Sequence, residues 1–358
     1  MWKSLKDRAE GVKEMKRMKT TEAVGQVLCH DITQIIPGVT KDAVFRKGHI
    51  IREEDIPVLL SVGKDSVYIW ENDETMMHEN DAAEVLYRMT ANEHMHPSDV
   101  KEGKIEVIAD TEGLLKVDRE KLKKVNAFGE MMIATRHGNT VVKKGDKLAG
   151  TRIIPLVIKK DKMQEAEKIC DGTPILKILP FTVKKAAIIT TGNEVYHGSI
   201  KDAFTPVIEQ KIAEFGAEMM FHEIFDDNDR KITDGCLRAI EAGADIVFCT
   251  GGMSVDPDDK TPLAIKNTGA EMISYGSPVL PGAMFLLSYY RKGDKVIPIC
   301  GLPGCAMYNR RTIFDLVLPR LMAADPVTAD ELASLGEGGL CLNCKVCTFP
   351  NCGFGKGW

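Results

Sequence analysis

A glycine pair followed by acidic residues is the part of this sequence with the clearest chemical use. It lies in the stretch TGGMSVDPDDKTP at 250–262, directly after an apolar run. Gly251 and Gly252 lack side chains, so their backbone N–H groups can approach an anion closely. The carboxylates that follow would repel that anion unless a cation lay between them; they are Asp256, Asp258 and Asp259. The pattern predicts a phosphate-bearing ligand held partly through Mg²⁺, although an ordinary turn with a solvated acidic cap has the same composition.

A second candidate site is a group of cysteines near the end of the sequence. The four residues lie within twelve positions and are Cys341, Cys344, Cys347 and Cys352. In a reducing compartment, C-x2-C-x2-C spacing predicts a metal site and not a disulfide scaffold. The spacing favours a [4Fe–4S] cluster, with a Cys₄ zinc site as the alternative. A tail without a ligand is the third interpretation.

Composition and charge exclude several classes of function. The chain has 358 residues, 44% of them hydrophobic, and a formal net charge of −5. No strongly basic face is expected, which argues against nucleic acid as a partner. The apolar runs are shorter than the ~20 residues that cross a bilayer, and the first residues, MWKSLKDRAEGVKEMK, lack the apolar centre of a secretory signal. We therefore expect a cytoplasmic protein that binds no membrane.

The elements that must position the glycine pair alternate regularly after Pro180. Apolar strand patterns at 186–190, 217–224 and 244–250 are separated by helical patterns at 202–216 and 228–243. This alternation predicts a three-layer α/β/α domain with a mostly parallel sheet. Ligands bind such sheets at the carboxyl ends of the strands, and there the sequence places glycine-rich loops: TTGNEV at 190–195, LPGAM at 280–284 and GLPGCA at 301–306.

The remaining chain divides into smaller units. The first twenty residues are charged and predict a helical lead-in, whereas short strand patterns punctuated by glycine predict a β-rich unit before the regular domain. A later strand pattern lies at 295–300, and a single long helix is expected over 306–322. We expect four parts: an N-terminal α/β segment at 1–74, a small β-rich domain at 75–182, the regular α/β domain at 183–325 and the cysteine tail at 326–358.

Residues 184–322 resemble the molybdopterin-binding domain that molybdopterin molybdotransferases and adenylyltransferases share. The resemblance includes, in the family's order, TTGNEV, GSIKDAF, ADIVFCTGGMSVDPDD, PVLPGAM and GLPGCA. The stretches TTEAVGQVLCHDI and FRKGHIIREEDIPVLLSVG are similar to flanking regions of the molybdotransferase branch, though more weakly.

The resemblance implies a ligand, a cation and a set of residues. The ligand would be molybdopterin, adenylated or loaded with molybdenum, and molybdate would be the second substrate. The residues that bind it would be Thr191, Gly192, Asn193, Thr250, Gly251, Gly252, Pro281, Gly282, Pro303 and Gly304. Those that carry out Mg²⁺-assisted insertion of molybdate would be Asp259, Ser254, Asp202 and Glu194. Asp202 is also well suited to cap the helix that follows it.

Departures from the family pattern leave three functions open. Asn193 stands where the family has an acidic residue, and Ala283 where it often has a lysine. The family's Phe-Asp-x-Ser-x-Met-Asp-Gly segment is absent from the N-terminal half. The first function is molybdate insertion with release of AMP. The second is binding or delivery of the cofactor without catalysis, and the third is a nucleotide pyrophosphatase or amidase on the same domain. A homodimer is expected, and a molybdoenzyme would receive the product.

Overall fold

The structure is a computed structural model that describes residues 16–36, 40–69, 74–254 and 256–357. Most of the expected helical lead-in at 1–20 therefore lies outside the described residues. None of the described helices has both the length and the apolar content that a bilayer crossing requires.

The N-terminal region is a small unit of short strands around its own apolar core. Its elements are β1 (Arg17–Lys19), β2 (Ile32–Ile36), β3 (Thr40–Phe45), α1 (Ile56–Ser61) and β4 (Ser66–Tyr68). β1 pairs with β4 and β2 with β3, both antiparallel. Leu28, Ile51 and Leu59 are fully or almost fully buried between them.

The middle region is rich in β-structure, as the sequence predicts. Its strands are β5 (Met76–His78), β6 (Met95–Pro97), β7 (Lys104–Ala109), β8 (Gly113–Val117), β9 (Met131–Thr135), β10 (Thr140–Val142), β11 (Lys147–Ile153), β12 (Val157–Lys159) and β13 (Leu176–Leu179). Its helices are α2 (Glu79–Thr90), α3 (Arg119–Ala127) and α4 (Lys160–Cys170). The strands form sheets in the orders β6-β7-β11-β9, β10-β8-β13 and β12-β5, with all pairs antiparallel.

The regular domain has the alternation of strands and helices that the apolar pattern predicts. Its strands are β14 (Lys185–Thr191), β15 (Glu218–Phe225), β16 (Ile246–Thr250), β17 (Glu271–Tyr275), β18 (Leu286–Lys292) and β19 (Lys295–Leu302). Its helices are α5 (Asn193–Tyr196), α6 (Phe204–Ala213), α7 (Asp229–Glu241), α8 (Thr261–Asn267), α9 (Cys305–Tyr308), α10 (Ile313–Met322) and α11 (Ala329–Ser334).

One six-stranded sheet organises this domain, in the order β15-β14-β16-β19-β18-β17. The first four strands run parallel to one another. β18 pairs antiparallel with β19, and β17 pairs antiparallel with β18. Thr191 pairs with Phe225, and Thr250 pairs with both Thr190 and Leu302. The parallel strands therefore end together, and the loops that follow them meet along one edge of the sheet.

Helices cover both faces of the sheet, which confirms the expected layers. Ile208 of α6 and Phe314 of α10 are buried on one face, and Ile232 of α7 and Ala264 of α8 are buried on the other. A fully buried strand surface explains why the strand patterns are continuously apolar instead of alternating.

The long helix expected over 306–322 is interrupted. The backbone leaves the helical region at Asn309, and α10 begins only after Thr312. Thr312 and Asp315 form a capping box at the start of α10. The backbone N–H of Thr312 donates to the Asp315 carboxylate, and the backbone N–H of Phe314 donates to the Thr312 hydroxyl. This pairing marks a helix start, so a new helix begins where the apolar pattern alone had suggested continuation.

Candidate functional site

The candidate site is the edge of the sheet at which β14, β15, β16 and β19 end, and we call this edge with its loops the crest. The loops of the crest begin at Gly192, Asp226, Gly251 and Pro303. Because the strands are adjacent and in register, residues separated by more than a hundred positions in the sequence meet here. All of the strand-end residues that the sequence singles out as ligand-binding lie at or beside this edge.

The glycine pair forms the tightest part of the crest. Gly251 and Gly252 have φ values of +82° and +52°, which glycine adopts at little cost. A Cβ on Gly251 would lie 2.0 Å from the carbonyl oxygen of Thr191, and one on Gly252 would lie 2.9 Å from Thr261 Oγ1. Thr191 Oγ1 and Thr261 Oγ1 are hydrogen-bonded at 3.0 Å. Two strand ends and the start of α8 can therefore approach one another only through these glycines.

The acidic loop after the glycine pair folds back on itself. The backbone N–H of Ser254 donates to Asp259 Oδ2 over 2.7 Å, and the N–H of Asp259 donates to the carbonyl of Asp256 over 3.0 Å. The hydroxyl of Tyr275 donates to the carbonyl of Met253 over 3.1 Å. Asp259 thus orients the backbone of Ser254, the residue that the sequence analysis predicts to act with it.

Asn193 and Asp227 join the first two loops of the crest. The N–H of Asn193 donates to Asp227 Oδ2 over 3.1 Å, and the N–H of Asp227 donates to Asn193 Oδ1 over 3.4 Å. Burial raises the pKa of the Asp227 carboxyl. The nearby carboxylates of Glu194, Asp259 and Asp258 raise that pKa further. The crest is therefore an acidic surface whose charges repel one another.

Asp202 is held beneath the crest by hydrogen bonds to its own helix. Oδ1 accepts from the backbone N–H groups of Phe204 and Thr205, and Oδ2 accepts from the hydroxyls of Thr205 and Thr190. Burial raises the pKa of Asp202, but these hydrogen bonds outweigh burial and leave the pKa below its ordinary value. His222 Nε2 lies 3.5 Å from Oδ2. Asp202 therefore accepts from the first-turn N–H groups of α6, as a helix cap does, from one position before the N-cap residue Ala203, and its catalytic role stays a prediction.

The predicted turns that contain Gly282 and Gly304 differ in how much space surrounds the glycine. Gly282 has φ +127°, and a Cβ there would lie 2.3 Å from Ile313 Cγ2, so the protein's own packing fills this position. Gly304 follows Pro303 with φ −52° as the N-cap of α9, and a Cβ there would meet no atom within 4 Å. Open space next to backbone is what the close approach of a ligand requires, and Gly304 provides it.

The predicted metal ligands line one cavity next to the crest. The cavity measures about 250 Å³, and its wall includes all of the predicted cysteine ligands: Cys341, Cys344, Cys347 and Cys352. Pro281, Arg310 and Arg311 also line it. The tail reaches this position because Cys341 N–H donates to the carbonyl of Leu280 over 2.8 Å.

The arginines give the cavity a positive wall. The backbone N–H of Phe349 and the guanidinium of Arg311 lower the pKa of the Cys347 thiol. Arg311 Nη1 also donates to Asp315 over 2.8 Å, and its guanidinium lies 4.8 Å from the centre of the Phe349 ring. Thiolate ligands are favoured in such surroundings. Among the described residues, no three His, Cys, Asp or Glu side chains converge on a common metal position, at the crest or in the tail.

The sequence analysis did not identify several residues of the site. Asp227 is the second residue after β15, in a loop that follows its strand as the glycine loops follow theirs, so the position of that strand end was the available signal. Thr261 lies within the quoted acidic stretch, yet nothing in its spacing pointed to Thr191. Arg310 and Arg311 carry no local signal, because only tertiary folding brings them to the cysteines.

Two parts of the chain match known family models. Residues 187–323 match the family described as "Probable molybdopterin binding domain", and residues 17–71 match a domain of unknown function. A competence-damage inducible protein of Bacillus cereus is 30% identical over 129 residues, which are 36% of this chain and 30% of that protein. A second protein of that name, from Bacillus subtilis, is 32% identical over 85 residues, 24% of this chain and 20% of that one. The chain thus spans less than a third of the length of the curated relatives it matches.

Solved structures with a similar arrangement include proteins of cofactor synthesis. The tungsten cofactor synthesizing protein MoaB from Pyrococcus furiosus is 18% identical, with 40% of this chain and 98% of that chain covered and a TM-score of 0.34. A molybdenum cofactor biosynthesis protein from Pyrococcus furiosus is 12% identical, with 88% of this chain and 66% of that chain covered and a TM-score of 0.24.

The parallel sheet and its glycine-rich crest define an α/β ligand-binding domain. Residues 187–323 match the model of a molybdopterin binding domain, and this match covers nearly all of the sheet and all the loops of the crest.

Two glycines of the crest allow a matched test of its packing. We expect Gly251→Ala to lower the free energy of unfolding by more than about 1 kcal/mol, because its Cβ would collide with the Thr191 carbonyl at an unfavourable φ. Gly304→Ala should leave stability within about 0.5 kcal/mol of the wild type. Urea unfolding of both variants measures the difference, and equal losses would contradict the close approach at Gly251.

The cap at Asp202 predicts a pH-dependent contribution to stability. Because its folded-state pKa lies below the ordinary value, the contribution is fully present above the unfolded pKa and is lost as the pH falls through the folded pKa. Asp202→Ala should cost about 1 kcal/mol at neutral pH, and this deficit should shrink as the pH falls below about 4. Asp202→Asn, which can still cap, is the control. The deficit of the alanine variant is measured by urea unfolding at several pH values. A deficit that does not change with pH would exclude the charged cap.

Proposed function

We propose that the crest binds adenylated molybdopterin and inserts molybdate into its dithiolene, with release of AMP. The observation that carries the proposal is the Gly251–Gly252 turn, packed against Thr191 at the ends of parallel strands, within residues that match a molybdopterin binding domain. The open position at Gly304 lies in the next loop along the same edge of the sheet, after β19. Together these features provide backbone that an extended, phosphorylated ligand can approach.

Each predicted residue has a place in this proposal. Thr191, Gly192 and Asn193 form the loop after β14, and Thr250 leads into the glycine pair after β16. Pro303 and Gly304 lie on the other side of β16, after β19, and would contact the far end of the ligand. Pro281 and Gly282 lie between the crest and the tail, so they support the site from its side.

The carboxylates of the crest would supply only part of the coordination of a divalent cation, and ligand oxygens would supply the rest, because no three of the described side chains converge on one position. Asp259 and Glu194 both raise the pKa of Asp227, so each lies within electrostatic range of that carboxylate. Their repulsion is unfavourable unless a cation is bound between them. Mg²⁺ at this position would polarise the pyrophosphate of the ligand and neutralise the charge that develops when AMP leaves. Ser254, oriented by Asp259, would position molybdate, and Asp202 would hold Thr190 and α6 in place.

Two other functions are kept because particular residues favour them. Asn193 and Ala283 each replace a charged residue of the family pattern, which favours a protein that binds or delivers the cofactor without insertion chemistry. A nucleotide pyrophosphatase or amidase would use the same backbone turn for phosphate and would need no dithiolene ligand.

Release of AMP separates the three functions. The purified chain is incubated with adenylated molybdopterin, molybdate and Mg²⁺, and AMP and oxidised pterin are measured by chromatography. We expect molybdate-dependent release of AMP, reduced about 100-fold by Asp259→Asn and unchanged by Asp294→Asn in the exposed hairpin between β18 and β19. Bound pterin without AMP would favour the delivery protein. An adenine nucleotide bound without pterin would favour the third function.

We propose that the tail cavity holds a [4Fe–4S] cluster, with zinc as the alternative. Thiolates are the usual ligands of such clusters, and the positive charge of Arg310 and Arg311 would offset the negative charge of a cluster bound by four thiolates. The cavity, at about 250 Å³, is larger than one ion needs. Dithiolene chemistry and the free thiols both suit the reducing cytoplasm.

Metal analysis tests the content of the tail. After anaerobic purification we expect about four iron atoms and matching sulfide per chain, and a loss of most iron in Cys347→Ser. Cys305→Ser, a cysteine outside the tail, should retain the iron. Zinc without iron in the wild-type chain would contradict the cluster and support the alternative.

We also propose a homodimer and a recipient molybdoenzyme as partners. Large apolar side chains are exposed around the tail and crest, which is typical of surfaces that contact other proteins. They are Leu280, Tyr308, Leu340, Leu342 and Val346.

A further inference from the structure

Tyr275 is the last residue of β17, the strand at the outer edge of the sheet. β17 pairs antiparallel with β18, and β18 pairs antiparallel with β19, so β17 runs in the same direction as the parallel strands. Tyr275 pairs with Leu286, Leu286 pairs with Gly301, and Gly301 pairs with Cys249 near the end of β16. Tyr275 therefore lies in line with the crest, although β17 is not one of the four strands that define the crest.

The hydroxyl of Tyr275 reaches the acidic loop that follows β16. It donates to the carbonyl oxygen of Met253 over 3.1 Å and lies 3.5 Å from the carbonyl oxygen of Ser254. The N–H of Ser254 donates to Asp259 Oδ2 over 2.7 Å. The Met253 carbonyl and the Ser254 N–H belong to one peptide unit, which is planar. Tyr275 and Asp259 therefore hold opposite edges of a single peptide plane, and we call this arrangement the clamp.

The side chain of Met253 anchors the same segment by packing. It is buried in the core between the sheet and the helices α7 and α8. A Cβ on Gly301 would lie 2.4 Å from Met253 Cε and 2.6 Å from Met253 Sδ, so the methionine crosses β19 at a position where that strand has no side chain. The loop is thus fixed directly after the glycine pair, whereas Asp256 and Asp258 further along it are exposed.

The tyrosine hydroxyl is well suited to be the donor of the clamp. Burial and the nearby charge of Asp259 raise the pKa of Tyr275, so the hydroxyl is protonated at neutral pH and can donate. The side chain as a whole is exposed, and within the described ranges the hydroxyl contacts no acceptor other than the two carbonyls of the loop. The fold therefore uses this hydroxyl to hold the loop.

The clamp leaves the polar groups of the loop available to a ligand. Asp259 uses Oδ2 to accept from Ser254, and no donor among the described residues contacts its Oδ1. Ser254 is exposed. Because the orientation of the peptide plane determines where the Ser254 side chain begins and where Asp259 Oδ2 is held, the hydrogen bond from Tyr275 controls how both residues are presented.

We propose that Tyr275 is a positioning residue of the crest, whose hydroxyl fixes the Met253–Ser254 peptide and so directs the Ser254 hydroxyl and Asp259 Oδ1 toward the ligand. Tyr275 acts through the loop and contacts no reacting atom. This role rests on the proposed function and deepens it, since Ser254 is proposed there to position molybdate and Asp259 to bind the cation.

Hydrogen exchange tests the clamp without a ligand. Tyr275→Phe keeps the ring and removes only the hydroxyl, so we expect the Ser254 N–H to exchange about tenfold faster than in the wild type. The rate is measured by NMR on the unliganded full chain. The N–H of Cys249, inside β16, should exchange at an unchanged rate. Tyr290→Phe is the matched control: Tyr290 lies on β18, its hydroxyl has no hydrogen-bond partner among the described residues, and its loss should leave the Ser254 rate unchanged.

The AMP-release assay tests what the clamp contributes to the reaction. Tyr275→Phe should lower kcat about tenfold and change KM by less than about twofold, because the variant alters positioning and removes no contact with the ligand. Tyr290→Phe should leave both values unchanged.

Several outcomes would overturn the proposal. One is an unchanged exchange rate of the Ser254 N–H in Tyr275→Phe, and another is a faster rate with unchanged kcat. A loss confined to KM would indicate direct contact with the ligand, and faster exchange that extends to Cys249 would indicate a general loss of stability. If the wild type releases no AMP, the proposed function fails, whereas the exchange rate still decides whether Tyr275 holds the loop.

Discussion

The close approach of Gly251 to the end of β14 is the constraint on which the rest of the site depends. A Cβ at this position would lie 2.0 Å from the Thr191 carbonyl, so no other residue type allows the two loops to meet without displacement. Once they meet, Thr191 reaches Thr261 and the acidic loop is held against the edge of the sheet. A local backbone requirement therefore determines where ligand-binding groups are presented.

Charge is distributed unevenly over the molecule, and this separates its two candidate ligand sites. At the crest, carboxylates raise the pKa of Asp227 and lack a counter-charge that a cation could supply. In the cysteine cavity the imbalance is reversed, since Arg310 and Arg311 line it, and the backbone N–H of Phe349 and the Arg311 guanidinium lower the pKa of the Cys347 thiol. The net charge of −5 gives no indication of this division, because a net charge does not record where the charges lie.

The tail links the two sites physically. It pairs with Leu280 next to the crest and lines the cysteine cavity. Arg311 lines the same cavity and is anchored by Asp315 on α10. The position of the cysteines is therefore fixed by contacts with the α/β domain.

The sequence by itself determined the parts of this protein that follow from local pattern. Apolar runs and helical periods located the strands and helices of the α/β domain, and the order of loop motifs identified the domain family. Asp202 was predicted as a helix cap because capping involves only neighbours in the chain. The division into four parts stays a prediction, and the break before α10 was missed because a continuous apolar pattern concealed its capping box.

Only the tertiary structure decided which distant groups meet. The pairing of Asn193 with Asp227, the contact of Thr191 with Thr261 and the placement of Arg310 and Arg311 beside the cysteines join segments far apart in the sequence. Such contacts depend on strand register and on how the tail docks, and neither leaves a period or spacing in the sequence. Most residue types of each site could therefore be listed from the sequence, whereas their grouping into a crest and a cysteine cavity could not.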